Sequence, residues 1–251
     1  MLLACIFAVA YFLGAIPFGV LITRAKGVDV TKIGSGNIGA TNVARAIGNE
    51  WAAGVFLLDV LKGFGPTFYA RSVDNREWVW FLVGIAAIAG HCASPFLRFR
   101  GGKGIATSLG MVFGAAPLVA AGGFLVFGIL FAITRFVSLS SIVAVGSSVI
   151  LAVVLRDWVY AAVGSLLFLF VLFTHRKNIR RLLDGTEPKF CFKRTQPPGD
   201  GGNAIVSAEP ASPSLHEDED GAGDGDADYG PVDDPKETPS AARDLPRTGA
   251  H

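Results

Sequence analysis

Three short stretches concentrate the residue types that can hold a phosphate. The first, residues 32–48, reads KIGSGNIGATNVARAIG. Gly34, Gly36 and Gly39 permit positive φ and close backbone approach, so successive N–H groups can turn toward one anion. Ser35, Asn37, Thr41 and Asn42 add short donors, and Arg45 follows on what reads as the opening turns of a helix. The second, residues 98–107, is RFRGGKGIAT, which sets Gly101, Gly102 and Lys103 just before an apolar segment. A helix starting there presents unpaired N–H groups and a partial positive charge to an anion. The third, residues 174–190, is THRKNIRRLLDGTEPKF. Its His175 and Asn178 stand three apart, on one helix face, with Arg176, Lys177, Arg180 and Arg181 spread around them.

Each stretch also has a plainer reading. A glycine turn can serve only to cap a helix, and without Gly-Lys-Ser/Thr it is not a Walker loop. Arg98 and Arg100, beside Phe96, Leu97 and Phe99, suit an anchor at a membrane surface, and the third stretch suits a solvated basic helix end with Glu187 bracing the turn after it. The plain reading leaves Lys103 between two glycines, and His175 with Asn178, without a purpose. A His followed five residues later by Asp, a spacing suited to a general-base dyad, is absent: Phe96 holds that place after His91, and Arg180 after His175. Asp59 and Lys62, at i and i+3 in LLDVLKGFGP, either pair structurally or act in chemistry; the sequence leaves both open. Cys5, Cys92 and Cys191 are too few and too scattered for a disulfide framework or a cysteine metal site. No motif calls for a metal or another cofactor.

The elements that must position these residues are membrane helices. Hydrophobic residues make up 51% of the 251-residue chain, and they fall in runs at 2–23, 51–70, 78–97, 105–134, 136–155 and 158–174. A span needs roughly 20 apolar residues. The first run has no basic stretch before it and no small-residue cleavage pattern, so it reads as a retained helix. The net charge of +1 conceals two opposed parts: residues 1–194 hold 19 Lys/Arg against 8 Asp/Glu, and 195–251 hold 3 against 13. Residues 195–251, rich in Pro, Gly, Asp, Ser and Ala, bury too little to offset ordering entropy and read as a disordered acidic tail after a membrane-embedded catalytic domain, 1–194.

Cation-rich loops face the cytoplasm. The three basic segments therefore belong on one side, yet only three apolar runs separate the second from the third, which would split them. The 30-residue run 105–134 is about 45 Å long as a helix, and GAAP at 114–117 is a natural break. Breaking it there predicts an all-α integral membrane protein of seven transmembrane helices. Its amino terminus is extracytoplasmic, and the motif loops and carboxyl terminus are cytoplasmic.

In order and spacing, these stretches resemble the three motifs of the bacterial acyl-phosphate:glycerol-3-phosphate acyltransferase family, membrane enzymes that make lysophosphatidic acid. YFLGAIPFG at 11–19, LDVLKG at 58–63, GHCASPFLRFRGGKG at 90–104 and THRKNIRRLLDGTE at 174–187 extend the match to roughly residues 2–190. The chain departs from the pattern at Ala15, where many relatives carry Ser, and in its acidic tail. The resemblance implies a multi-pass protein of the cell membrane with its active site facing the cytoplasm, an acyl phosphate donor and sn-glycerol 3-phosphate as acceptor. It makes His175, Asn178 and Lys103 the catalytic set. Ser35, Arg45 and Lys103 are implied to hold the glycerol phosphate, while Gly36, Asn37, Thr41, Asn42 and Gly102 are implied to meet substrate, chiefly the acyl phosphate. It also implies that a substrate phosphate oxygen takes the acceptor's proton; His175 as direct base is the competing mechanism. The expected partners are the two substrates and the lipid bilayer, with no nucleic acid, and the expected working unit is a monomer. A transporter of organic phosphate would use similar loops, but no inverted repeat of the transporter kind is visible between the halves.

Overall fold

The computed structural model describes residues 2–191; the acidic tail expected at 195–251 lies outside the described residues. Every apolar run becomes helix. The chain runs α1 (Leu2–Ala15), α2 (Phe18–Ala25), a short α3 (Ala40–Ile47), α4 (Asn49–Val73), α5 (Glu77–Cys92), α6 (Ile105–Ala115), α7 (Pro117–Thr134), α8 (Val137–Val154), α9 (Trp158–Thr174) and α10 (Arg176–Leu183).

Two breaks follow from proline. Pro117 cannot donate to a preceding turn, so the long run divides at Ala116, inside the GAAP expected to break it. Pro17 likewise separates α1 from α2, which the sequence reads as one continuous span. That second break frees carbonyl groups, and both gain donors from other helices or loops: Ser94 Oγ donates to Ala15 O at 2.6 Å and Lys62 Nζ to Ile16 O at 3.0 Å. Lys62 also pairs with Asp59 at 2.8 Å. Of the two readings the sequence left open for these residues, the structural one finds its partners, a buried pair that ties α4 to the end of α1, while Asp59 also borders the cavity described below.

Among the described residues four helical segments are long and apolar enough to cross a membrane, or five if α9 and the bent α10 count as one span. The remaining runs fall short for visible reasons. Helix α6 has 11 residues, about 16 Å, and α4 carries Asp59 and Lys62 at its middle. Large apolar side chains such as Leu118, Ile133, Ile150 and Leu166 point outward, the arrangement that lipid rather than water favours.

Helices in lipid approach closely where side chains are small, because dispersion contacts and not hydrophobic exclusion drive them together. A Cβ on Gly90 would lie 2.0 Å from Tyr11 O, and one on Gly14 2.0 Å from Ala87 O, so α1 and α5 touch through their backbones. Gly63 meets Thr107 O and Gly110 meets Val60 O in the same way between α4 and α6. These contacts fix the start of α6, and with it Lys103.

Candidate active site

The glycine loop before α3 is wound around one side chain. Asn42, in the first turn of α3, is almost fully buried; its Nδ2 donates to Val30 O at 3.0 Å and Ile33 O at 2.9 Å, and its Oδ1 accepts from Ser35 N–H at 3.2 Å. Gly34 and Gly36 adopt φ of 53° and 68°, the region that favours glycine, and a Cβ on Gly34 would reach 2.6 Å from Asn42 Oδ1. Gly39 uses no positive φ: it is the extended N-cap of α3, and its N–H donates to Asn37 Oδ1 at 2.8 Å. Ser35, Asn37, Thr41 and Arg45 line the cavity that this loop borders. Arg45 stands in the last turn of α3, not its opening turns, because α3 has only eight residues.

Two expected ligand-binding residues have other work here. Gly36 donates its N–H to Ile33 O at 2.9 Å and is absent from the cavity wall. Gly102, expected to meet the acyl phosphate, donates its N–H to His91 O at 3.1 Å. A Cβ on Gly102 would sit 2.1 Å from His91 Nε2. The glycine pair at 101–102 therefore folds the loop flat against the end of α5 and aims Lys103 inward. Asn42 borders the cavity, but its hydrogen bonds make it the post of the loop.

Lys103 Nζ donates to Asn178 Oδ1 at 2.5 Å, and Asn178 Nδ2 donates to Glu187 Oε1 at 2.6 Å. Glu187 also accepts from Ser138 Oγ and from Arg181 Nε, each at 2.7 Å. The chain reverses after α10 to bring Glu187 back, through its N–H to Arg181 O at 3.0 Å. Helix α9 meets α10 at a bend of 64°, and His175 is the residue at that bend. His175 Nδ1 lies 3.0 Å from Val171 O. A carbonyl can only accept, so Nδ1 carries the proton and Nε2 is left as the acceptor.

The electrostatics of this group are unbalanced. Arg45, Lys103 and Arg181 gather around one carboxylate, Glu187. Burial brings Lys103 down to about 8, with Arg181 and Arg45 adding to the fall against the pull of Glu187. Burial opposes ionisation of Glu187, yet the hydrogen bonds from Asn178, Ser138 and Arg181 outweigh it and hold the carboxyl below its ordinary range. Three cations against one anion leave an excess of two positive charges, the charge of a phosphate dianion.

These groups form the polar mouth of one cavity of about 510 Å³, a size typical of small-molecule sites. Its other limb is apolar, running between α6, α7, α8 and α9 past Leu109, Phe127, Phe131 and Val145. Of the residues singled out by sequence, Ser35, Asn37, Thr41, Asn42, Arg45, Lys103, His175 and Asn178 meet in this cavity. Arg181, Glu187 and Ser138 line it as well. Arg181 lies three residues after Asn178, hence on the same face, and that spacing was the signal in the sequence; Ser138, in VSLSSI, gave none.

The chain matches the family model described as glycerol-3-phosphate acyltransferase over residues 4–185. It is similar to the glycerol-3-phosphate acyltransferase of Aquifex aeolicus (strain VF5), at 44% identity over 187 residues that cover 72% of this chain and 95% of the relative. The protein of the same name from Myxococcus xanthus (strain DK1622) is 45% identical over 186 residues, with coverage of 72% and 95%. Two crystal structures of PlsY, an integral membrane glycerol 3-phosphate acyltransferase, share the fold at 41% identity. Its glycerol 3-phosphate form superposes with a TM-score of 0.70, covering 76% of this chain and 96% of that one. The lysophosphatidic acid form gives 0.71, covering 76% and 97%.

Proposed function

The chain belongs to the glycerol-3-phosphate acyltransferase family and is a multi-pass membrane acyltransferase; we propose that it moves a fatty acyl group from acyl phosphate to the 1-hydroxyl of sn-glycerol 3-phosphate. The products are lysophosphatidic acid and inorganic phosphate. One observation carries this reading: a single cavity joins a mouth with two excess positive charges to an apolar limb, so it suits a phosphate at one end and an acyl chain at the other. Relatives in the family are named for glycerol 3-phosphate, and PlsY has been captured with that molecule and with lysophosphatidic acid.

In this mechanism Ser35, Arg45 and Lys103 hold the acceptor's phosphate, and Arg181 joins them. Thr41 and Asn37, on the cavity wall at the start of α3, face the donor's phosphoryl group. His175 Nε2 and Asn178 orient the glycerol hydroxyls, with Glu187 fixing Asn178 through its amide. The glycerol 1-oxygen bonds to the acyl carbonyl carbon while the carbon–oxygen bond to the phosphoryl group breaks, and phosphate leaves with the electron pair. The cations stabilise the charge that develops on it. The hydroxyl proton passes to a phosphate oxygen of bound substrate. That route is favoured because His175 is held from behind by a neutral backbone carbonyl at 3.0 Å and not by a carboxylate that would stabilise an imidazolium.

Seven crossings, with the amino terminus outside and the mouth toward the cytoplasm, follow from the distribution of cations: 14 Lys/Arg in the three basic segments, with Arg135, against Arg71, Arg76 and Arg156 on the other side. The working unit is proposed to be a monomer.

The deciding experiment is acyl transfer by purified protein to glycerol 3-phosphate from palmitoyl phosphate, with palmitoyl-CoA as parallel donor and the product's acyl position read by NMR. Transfer from the phosphate alone, to the 1-position, is expected; transfer from the thioester alone rejects the donor. His175→Gln keeps an acceptor and removes a base. It is expected to retain measurable turnover, whereas loss equal to that in His175→Ala would make His175 the base.

A further inference from the structure

The apolar limb of the cavity ends on a polar pair. Ser148, on α8, and Tyr160, near the start of α9, both line the cavity and are 6% and 1% exposed. Their oxygens are 2.8 Å apart. Ser148 Oγ also donates to Val145 O at 2.8 Å, so its single proton is committed and Tyr160 is the donor of the shared bond. No catalytic step uses either residue.

The position of the pair is at the far end. Helices α6 and α8 begin, and α7 and α9 end, near the polar mouth, so the residues remote from it are Val112, Val119 and Ala120 together with Ser148 and Tyr160. Ser138, which donates to Glu187, marks the mouth on the same helix as Ser148. The ten-residue step from Ser138 to Ser148 places Ser148 about 15 Å below it. The pair is also rigid. The Tyr160 ring packs against Phe81 with centroids 5.8 Å apart, and a Cβ on Gly164 would already lie 3.0 Å from Tyr160 Cε1. On the side of the other partner, a Cβ on Gly123 would lie 3.2 Å from Ser148 Cβ.

We propose that the hydrogen-bonded Ser148–Tyr160 pair is the floor of the acyl channel and sets the longest acyl chain the enzyme accepts efficiently. The proposal rests on the acyl-donor reading above. A methyl terminus that reaches the pair gains nothing by going further, because passage means displacing a braced ring or pulling the buried Tyr160 hydroxyl away from its acceptor, Ser148 Oγ. With C–C bonds of about 1.5 Å, an extended chain advances about 1.25 Å per carbon, and the limb below Ser138 takes about twelve carbons. With a few more carbons beside the polar mouth, the limit falls at about 14–16 carbons.

The test is kcat/KM for purified full-length protein with glycerol 3-phosphate and saturated acyl phosphates from decanoyl to arachidoyl. Wild type is expected to gain about fourfold per methylene up to the limit and then to fall by about tenfold for the next methylenes. Tyr160→Leu opens the floor and moves the break to longer chains, by about two or three carbons. Ser148→Val raises the floor and moves it to shorter ones. Tyr160→Phe keeps the braced ring and is expected to keep the break. A wild-type profile with no break, or a break that stays in place in both Tyr160→Leu and Ser148→Val, overturns the inference while leaving the donor reading intact. No transfer from any acyl phosphate by wild type overturns both. Should Tyr160→Leu fail to fold, the wild-type break and its shift in Ser148→Val decide the matter.

Discussion

Asp59 and Lys62 in the middle of α4, and the group around Glu187 at the polar mouth, are both buried ionic clusters in one helix bundle. They differ in balance. Lys62 satisfies Asp59 and one backbone carbonyl, and the side chains of both are only 4% exposed. Around Glu187, three cations share one carboxylate beside a cavity. A closed pair holds helices together, whereas an open surplus of charge is retained at some loss of stability because a ligand neutralises it. Burial alone, which the two clusters share, does not separate structure from function, and neither does neighbouring space, since Asp59 also borders the cavity; the charge count does.

The strongest test of that contrast is Lys62→Met. Removing one member of a buried pair leaves Asp59 uncompensated and Ile16 O without its donor, which is expected to destabilise the protein by about 3–5 kcal/mol. Turnover per folded molecule is expected to persist. The double substitution Asp59→Leu with Lys62→Met is expected to recover much of the loss, since an apolar replacement of both partners is often neutral or better. Thermal unfolding in detergent, read beside activity, checks this. An unchanged Tm with abolished turnover in Lys62→Met would place the pair in the chemistry and erase the distinction.

Lys103→Ala is expected to give the opposite pattern. Loss of one charge-assisted phosphate contact corresponds to about 1.5–3 kcal/mol, or one to two decades in kcat/KM for glycerol 3-phosphate, with Tm held or raised. The sign follows from its titration. A lysine brought down to about 8 binds its proton less tightly folded than unfolded. Its charge therefore weakens the fold below pH 8, and stability rises as pH climbs from there toward the ordinary lysine value. Activity moves the other way: kcat/KM for the acceptor is expected to fall above about pH 8 as the free enzyme loses that charge. Lys103→Arg should remove the fall, and a pH profile identical in wild type and Lys103→Arg would exclude Lys103 as its source.

The helices were legible because lipid imposes a simple rule, an unbroken apolar run, and because proline breaks such a run at an identifiable place; GAAP before α7 is the example. Pro17 was missed because the run 2–23 has the length of one span and the placement of the basic segments requires no break there, and nothing in the sequence announces that Ser94 and Lys62 will take up the freed carbonyls. Ser35, Arg45, Lys103, His175 and Asn178 were legible as a group because glycine turns and cations recur on one predicted side of the membrane. Arg181 was marked only by its spacing from Asn178, because a cation among four on one short helix looks the same whether it faces water or a carboxylate six residues later, and Glu187 read only as the brace of a turn. Gly36 and Gly102 show the converse limit: a glycine in a phosphate-like loop announces a close approach, and only the structure tells whether the approaching group is a ligand or the chain itself.

Gly102 gives the smallest and most selective test of that last point. If its role is packing, Gly102→Ala drives a methyl group against the His91 ring and is expected to destabilise the protein by about 1–3 kcal/mol, the usual range for overpacking. A smaller residue at the other side of the contact makes room, so His91→Ala is expected to return part of that loss in the double variant. If its role is to turn an N–H toward the acyl phosphate, Gly102→Ala raises the donor's KM at unchanged Tm, and His91→Ala does nothing for it. The N–H of Gly102 already bonded to His91 O favours the first outcome. It would make the second glycine of RFRGGKG part of the same structural class as Lys62, and leave Lys103 beside it as the residue that meets the substrate.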